Sequence, residues 1–256
     1  MMKKLAIYIC FILLLAGCSH SADKSVDITI GAAASMKDVL EAIGEQYEKE
    51  HQNINLTFTF SSTGTLQKQI EQGAPIDVFV SADPTAFEQL VEKKLVIAKQ
   101  NRPLVYNELV LITPKQKART IHSLSDLQHP TIRSIAIGIP ETVPAGAYAK
   151  QWLQTADVWE KLQSKYVFAK DVRQVLTYVE SENADCGIVY RTDALSSKRV
   201  RIIATAPRSL NRQIAYKAGV IAQSKQQKEA ERFTEYLHSK QASRIFNKYG
   251  FIVATK

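Results

Sequence analysis

Residues 27–47 read DITIGAAASMKDVLEAIGEQY, and the fold is decided within them. The first seven, DITIGAA, are apolar or small and read as a buried strand. From Met36 the period changes: Met36, Val39, Leu40, Ile43 and Tyr47 recur at helical spacing on one face. Ala34-Ser35 joins the two. A strand that passes through a small-residue turn into an amphipathic helix is the opening of a βα unit.

The same alternation runs outward through the chain. Strands are predicted at 27–33, 55–60, 76–80 (IDVFV), 108–113 (ELVLIT), 134–139 (SIAIGI), 166–169, 186–190 (CGIVY), 201–205 and 214–222. Helical spacing recurs at Phe87, Leu90 and Val91 and at Val172, Val175, Leu176 and Val179, and two helices close the chain near 224–238 and 240–248. This predicts an α/β fold with largely parallel sheets. No internal repeat or low-complexity linker follows residue 26, so two lobes would be joined through strands. A chain of 256 residues suffices for one large domain or two lobes with real cores.

Composition narrows the chemistry. The chain is 45% hydrophobic and 23% charged, which excludes collagen-like and disordered classes. Three cysteines make no disulfide framework, and histidines 20, 51, 122, 129 and 238 have no paired metal-ligand spacing. The formal charge is +8, but no basic stripe interleaved with aromatics argues for nucleic acid.

The N-terminus reads as an address. Lys3 and Lys4 precede an apolar run from Leu5 to Leu15 that is too short to span a bilayer, which needs about 20 residues. Residues 1–17 are therefore expected to be a signal peptide. Leu15-Ala16-Gly17-Cys18 resembles a bacterial lipobox, which implies a diacylated Cys18 as the mature N-terminus, with residues 18–26 as a polar tether. Two acyl chains give stable anchoring. Processing would leave 31 basic and 25 acidic residues. Cys186, within CGIVY, reads as a packed core thiol.

Four helix starts share a small or hydroxyl-rich character at the ends of strands: Ala34-Ser35, Ser61-Ser62-Thr63-Gly64-Thr65, Val143-Pro144-Ala145-Gly146, and Lys170-Asp171-Val172. Helices are expected from Met36, Leu66, Gly146 and Val172. Helix N-termini offer unpaired N–H groups and the positive end of the dipole. Each alone reads as ordinary capping, but four together at the carboxyl ends of strands point to a ligand crevice. Asp77 and Asp83 read as turn and cap residues, Asp171 and Arg173 as a cap and brace, and Tyr106, Trp152, Trp159 and Phe168 as core or surface aromatics. Ser35 lies in no nucleophile elbow.

Several segments, in this order, carry a family resemblance: ITIGAAASMKDVL, FSSTGTLQKQIEQGAPIDVFVSAD, GIPETVPAGAYAK, AKDVR, GIVYRTDA and IFNKYGF. Across residues 27–253 the chain resembles the molybdate-binding proteins of bacterial molybdate ABC transporters. The resemblance implies a two-lobed class II periplasmic-binding-protein fold, each lobe a mostly parallel sheet flanked by helices, with the ligand in the inter-lobe cleft. It implies one lobe from 27–107 plus 215–256 and the other from 108–214. It also implies an oxyanion held by neutral donors: Ser35 through hydroxyl and amide, Thr63 where the family commonly has serine, Ala145 and Val172 through backbone N–H groups, and Tyr190 through its phenol. Ser62 is the alternative hydroxyl in the second loop.

The expected function is an extracytoplasmic, lipid-anchored receptor for molybdate and tungstate, acting as a monomer with an ABC permease. No catalysis, cofactor, nucleic-acid partner or direct protein–metal bond is expected, because the metal arrives inside the oxyanion. The alternatives left open are a sulfate or other oxyanion receptor on the same fold, a secreted serine-type hydrolase using Ser35 or Ser62, and a cell-surface interaction protein.

Overall fold

The computed structural model describes residues 25–100, 102–117 and 121–254. Cys18 and the signal and tether segments up to residue 24 lie outside them. The opening stretch forms β1 (Val26–Ala33), a single 3₁₀ turn (Ala34–Met36) and α1 (Lys37–Glu50). In β1, Ile28, Ile30 and Ala32 are fully buried, and Val39, Leu40 and Ile43 of α1 pack into the same core. The chain continues through β2 (Ile54–Ser61), α2 (Thr63–Glu71), β3 (Val78–Ser81), α3 (Pro84–Glu92), β4 (Val96–Ile97) and β5 (Val105–Tyr106). It then crosses into a second lobe made of β6 (Leu109–Pro114), β7 (Ile135–Gly138), α4 (Pro144–Thr155), β8 (Tyr166–Ala169), α5 (Val172–Glu180), β9 (Cys186–Tyr190), α6 (Arg191–Leu195), β10 (Val200–Thr205) and α7 (Arg208–Asn211). The return brings β11 (Ala215–Ile221), α8 (Gln227–Leu237), α9 (Lys240–Lys248) and β12 (Ile252–Val253) back to the first lobe.

Among the described residues the strands form two sheets. The seven-stranded sheet has the order β12-β5-β11-β3-β1-β2, with β4 beside β11. The five-stranded sheet has the order β10-β6-β9-β7-β8. The α/β two-lobed class is as expected, but the sheets are mixed rather than mostly parallel. Parallel pairing is confined to β1 with β2 and β3, and to β7 with β8 and β9. Strand β11 runs antiparallel to β3, β4 and β5, and β6 antiparallel to β9 and β10. The reason is the double crossing between lobes: β6 leads the chain out, β11 brings it back, and each enters its sheet against the local direction. Both are buried apolar runs, and such runs do not announce direction.

Register places the ligand crevice. Ala33 pairs with Ser61 and Ala32 with Val80, so β1, β2 and β3 end level with one another. Gly138 pairs with Ala169, so β7 and β8 do the same in the second lobe. Helix starts differ from expectation by a few residues: α1 begins at Lys37 after the 3₁₀ turn, α2 at Thr63 and α4 at Pro144. Proline tolerates that first helical position because its missing N–H would have no partner there. Asp83 caps α3, with its Oδ1 accepting from the N–H groups of Thr85 and Ala86 at 2.8 and 3.3 Å. Asp77 accepts from the Thr29 N–H at 2.8 Å and from the Ser224 hydroxyl at 2.6 Å, tying a turn down. Cys186 is fully buried, and burial pushes its thiol up, so it behaves as packing.

One close approach seats the first turn of α4 on the end of β7. A methyl group added at Gly146 would lie 2.1 Å from the Gly138 carbonyl oxygen. Backbone cannot yield as a flexible side chain does. Gly146→Ala is therefore expected to destabilise the protein by about 1–3 kcal/mol or more, in the range of core overpacking, measured by urea unfolding.

Candidate functional site

The four helix starts read from the sequence converge on one cavity of about 10 Å³, the space a single water centre requires. Ser35, Ser62, Thr63, Ala145, Val172 and Tyr190 all line it. The first two loops belong to the first lobe, the other residues to the second. Among the described residues that line it there is no lysine, arginine or histidine.

Each start presents its groups for a local reason. Ser35 sits inside the 3₁₀ turn after β1, 6% exposed, with its Oγ 2.9 Å from the Tyr216 hydroxyl. Ser62 is the N-cap of α2: its Oγ accepts from the Thr65 N–H at 3.3 Å and lies 2.7 Å from Thr65 Oγ1. Thr63 is fully buried, and its Oγ1 accepts from the Ala82 N–H at 3.1 Å, which leaves its own proton to donate elsewhere. Of the two second-loop candidates, Ser62 is engaged in capping while Thr63 keeps an uncommitted donor.

Ala145 is the second residue of α4 and Val172 the first of α5. At those positions a backbone N–H has no carbonyl to meet within its own helix. The N-cap of α4 is Val143, which supplies no side-chain cap. Asp171 caps α5 by accepting from the Gln174 N–H at 2.8 Å, so its carboxylate secures the helix beside Val172. Tyr190 closes β9 and is 1% exposed, and its hydroxyl is buried with no hydrogen-bond partner among the described residues. Burial pushes that phenol well above its ordinary range, so it remains a proton donor. These donors are neutral and no cation joins them among the described lining residues; the Asp171 carboxylate also lines the cavity, with its Oδ1 turned to the Gln174 N–H.

The cations nearby are held by acids. Lys37 pairs with Glu41. Arg173 bridges the lobes: its Nη2 lies 2.8 and 3.1 Å from the two Asp38 oxygens on α1, while Nη1 lies 3.4 Å from Asp193 and 3.1 Å from the Ser196 hydroxyl on the second lobe. The expected brace role thus extends across the cleft. Asp193 is fully buried, and burial pushes its carboxyl up to about 7 against the pull of Arg173. A larger cleft of about 570 Å³ opens beside the cavity, bounded by Asp38, Arg173, Thr192, Lys248 and Phe251, and shares Ser35 with it.

The lobes also meet backbone to backbone. The Gly64 N–H donates to the Thr142 carbonyl across the cleft at 3.0 Å. A methyl at Gly64 would stand 2.8 Å from that oxygen and 2.9 Å from the Thr142 Cα. Sequence reading placed Gly64 in the second loop without this role, and it missed Asp38, Asn107, Asp193 and Tyr216. Their partners lie up to 181 residues away, beyond the reach of any local pattern.

Two lobes closed over a small cavity, with donors from both, define a solute-binding protein, which encloses a small ligand rather than transforming it. The chain belongs to the bacterial extracellular solute-binding protein family, which matches residues 28–252. It is 45% identical over 259 residues to a Bacillus subtilis (strain 168) protein, covering 98% of this chain and 99% of the other; that relative is named provisionally as the ABC transporter substrate-binding lipoprotein YvgL. It is 36% identical over 255 residues to the molybdate-binding protein ModA of Haemophilus influenzae, covering 98% and 99% of the two chains. The periplasmic molybdate-binding protein of Azotobacter vinelandii shares the fold, with a TM-score of 0.80 at 23% identity over 89% of this chain and all of the other. The chain is a binding protein and not an enzyme.

Because the Gly64 contact joins the two lobes rather than elements within one, Gly64→Ala is expected to act on closure and not on folding. Its ligand-free unfolding midpoint should hold or rise, since alanine favours a helix by up to about 1 kcal/mol over glycine. Ligand-induced thermal stabilisation should vanish. Parallel melting curves with and without ligand read both.

Proposed function

We propose that this protein captures a tetrahedral oxyanion that carries no proton, namely molybdate and with it tungstate, and delivers it to an ABC importer from a lipid anchor on the extracytoplasmic face of the cell membrane. The observation that carries this reading is the Tyr190 hydroxyl, buried without a partner among the described residues at a cavity ringed by helix N-termini, whose described lining holds no cation. An unsatisfied buried donor costs about 1–3 kcal/mol, and an anion in the cavity would satisfy it. Helix starts suit an anion because their N–H groups and dipoles are already oriented toward it. Ser35, Thr63, Ala145, Val172 and Tyr190 act as the donors, with no cofactor and no bond from protein to metal. The similarity to molybdate-binding relatives supports the choice of anion.

Hydrogen bonds to a charged partner contribute about 1.5–3 kcal/mol each. About six of them, less desolvation and closure, leave binding of about −8 kcal/mol or tighter, which is micromolar or better. Sulfate is also a tetrahedral dianion, so discrimination against it rests on cavity size.

Calorimetry with molybdate, tungstate, sulfate and phosphate tests the reading. One molybdate per chain and comparable tungstate binding are expected. Sulfate should be weaker by about 100-fold, or about 2.7 kcal/mol; equal sulfate affinity would make this a sulfate receptor. Ser35→Ala and Tyr190→Phe should each cost about 1–3 kcal/mol of binding in folded protein.

The anchor has its own test. Cys18→Ser is expected to release the protein from membranes or block its processing. A native protein that begins elsewhere and carries no lipid would remove the anchor from the proposal.

A further inference from the structure

The oxyanion reading needs the Ser35 hydroxyl to donate, yet a serine hydroxyl both donates and accepts. The hydrogen bonds behind Ser35 remove that ambiguity. The Glu108 backbone N–H, which can only donate, gives its proton to the Asn107 Oδ1 at 2.9 Å. This fixes the Asn107 amide with its Nδ2 facing the other way. One Nδ2 proton goes to the Thr192 Oγ1 at 2.9 Å and the other to the Tyr216 hydroxyl oxygen at 3.3 Å. Asn107, Thr192 and Tyr216 are all buried, at 2%, 6% and 0% exposure, and the network is shielded from competing water.

Having accepted from Asn107, the Tyr216 hydroxyl directs its single proton to its remaining partner, the Ser35 Oγ at 2.9 Å. Burial pushes the Tyr216 phenol up, so it keeps that proton at working pH. With a lone pair engaged by Tyr216, Ser35 has its own proton left for the cavity it lines. Thr63 is set in the same sense one step from the backbone, by the Ala82 N–H. The Ser35 and Thr63 hydroxyls are thereby both polarised by main-chain N–H groups, which cannot reverse.

We infer that Asn107 and Tyr216 are positioning residues for anion binding: they form a one-way hydrogen-bond relay from the Glu108 N–H that commits the Ser35 hydroxyl to donate into the cavity. This rests on the oxyanion reading above and deepens it. Asn107 lies where the chain crosses between lobes, Tyr216 belongs to the first lobe and Thr192 to the second, so the relay is anchored where the two meet.

A merely structural role would lower stability without acting through Ser35, and a double-mutant cycle separates the two. Molybdate and tungstate affinities are measured by calorimetry for Tyr216→Phe, Ser35→Ala and the pair, with circular dichroism and melting curves to establish folding. Tyr216→Phe alone is expected to lose about tenfold in affinity, and the double variant should bind no more weakly than Ser35→Ala alone. Asn107→Asp provides a second cycle, needed if Tyr216→Phe does not fold. Its carboxylate accepts from Tyr216 and turns the relay round, so alone it should weaken binding beyond Tyr216→Phe, and much of that loss should disappear in the Ser35→Ala background. A folded Tyr216→Phe protein within twofold of wild type, or penalties that multiply in both cycles, would overturn the relay. If wild type binds sulfate in place of molybdate, the same cycles run with sulfate decide the relay. A wild type that binds none of molybdate, tungstate and sulfate would overturn the oxyanion reading and the relay with it, whereas multiplying penalties in a wild type that does bind overturn the relay alone.

Discussion

The Tyr190 hydroxyl is buried, protonated and without a partner among the described residues, and the arrangement around it follows from that one unpaired donor. A phenol in this state is costly unless something comes to meet it. The strand ends that surround it supply more donors of the same kind rather than an acceptor to quiet it. The level ends of β1 and β2 bring Ser35 and Thr63 to one side, and those of β7 and β8 bring Ala145 and Val172 to the other. Gly146 lies close against Gly138, so α4 begins where its first-turn N–H groups reach the cavity. Packing, register and capping thus produce a concentration of positive partial charge without a cationic side chain among the described residues that line the cavity.

Keeping cations out has a counterpart in the ion pairs nearby. Arg173 is adjacent in sequence to Val172, yet its guanidinium turns to Asp38 and Asp193. A cation in the cavity would attract any anion, protonated or not, and would weaken selection by shape. Fixed neutral donors ask more of geometry, and the closed lobes provide it through the Gly64–Thr142 backbone bond and the Arg173–Asp38 bridge.

Much of this was readable in the sequence, for physical reasons that also mark where reading stops. The run 27–47 shows strand and helix plainly, because one face of each is buried and the period of burial is written in the residue types. The helix-start residues of the cavity were legible because helix starts are local and their small side chains stand out, whereas Tyr190, at a strand end, came only from the family resemblance. Strand direction was not legible: ELVLIT and the stretch around Ala215–Ile221 are buried on both faces and look alike whichever way they run. Strands β4, β5 and β12 have two residues each and are too short to carry a period. Nor could the sequence join Ser35 to Tyr216 or Arg173 to Asp38, since those pairs meet only once two separated parts of the chain have folded together.

The chain passes between the lobes twice, from Tyr106 to Leu109 and from Thr205 to Ala215, and the two passages are stitched side by side. The Asn107 N–H bonds the Ile214 carbonyl at 3.2 Å, and the Ala206 N–H bonds the Leu109 carbonyl at 2.9 Å. Two bodies joined by one thread can swivel freely; joined by two parallel threads they keep a bending axis and lose the twist. Like a door on two pins, the halves can only swing. A swing about that axis would bring the same atoms face to face each time, so two stitched passages favour one closed geometry.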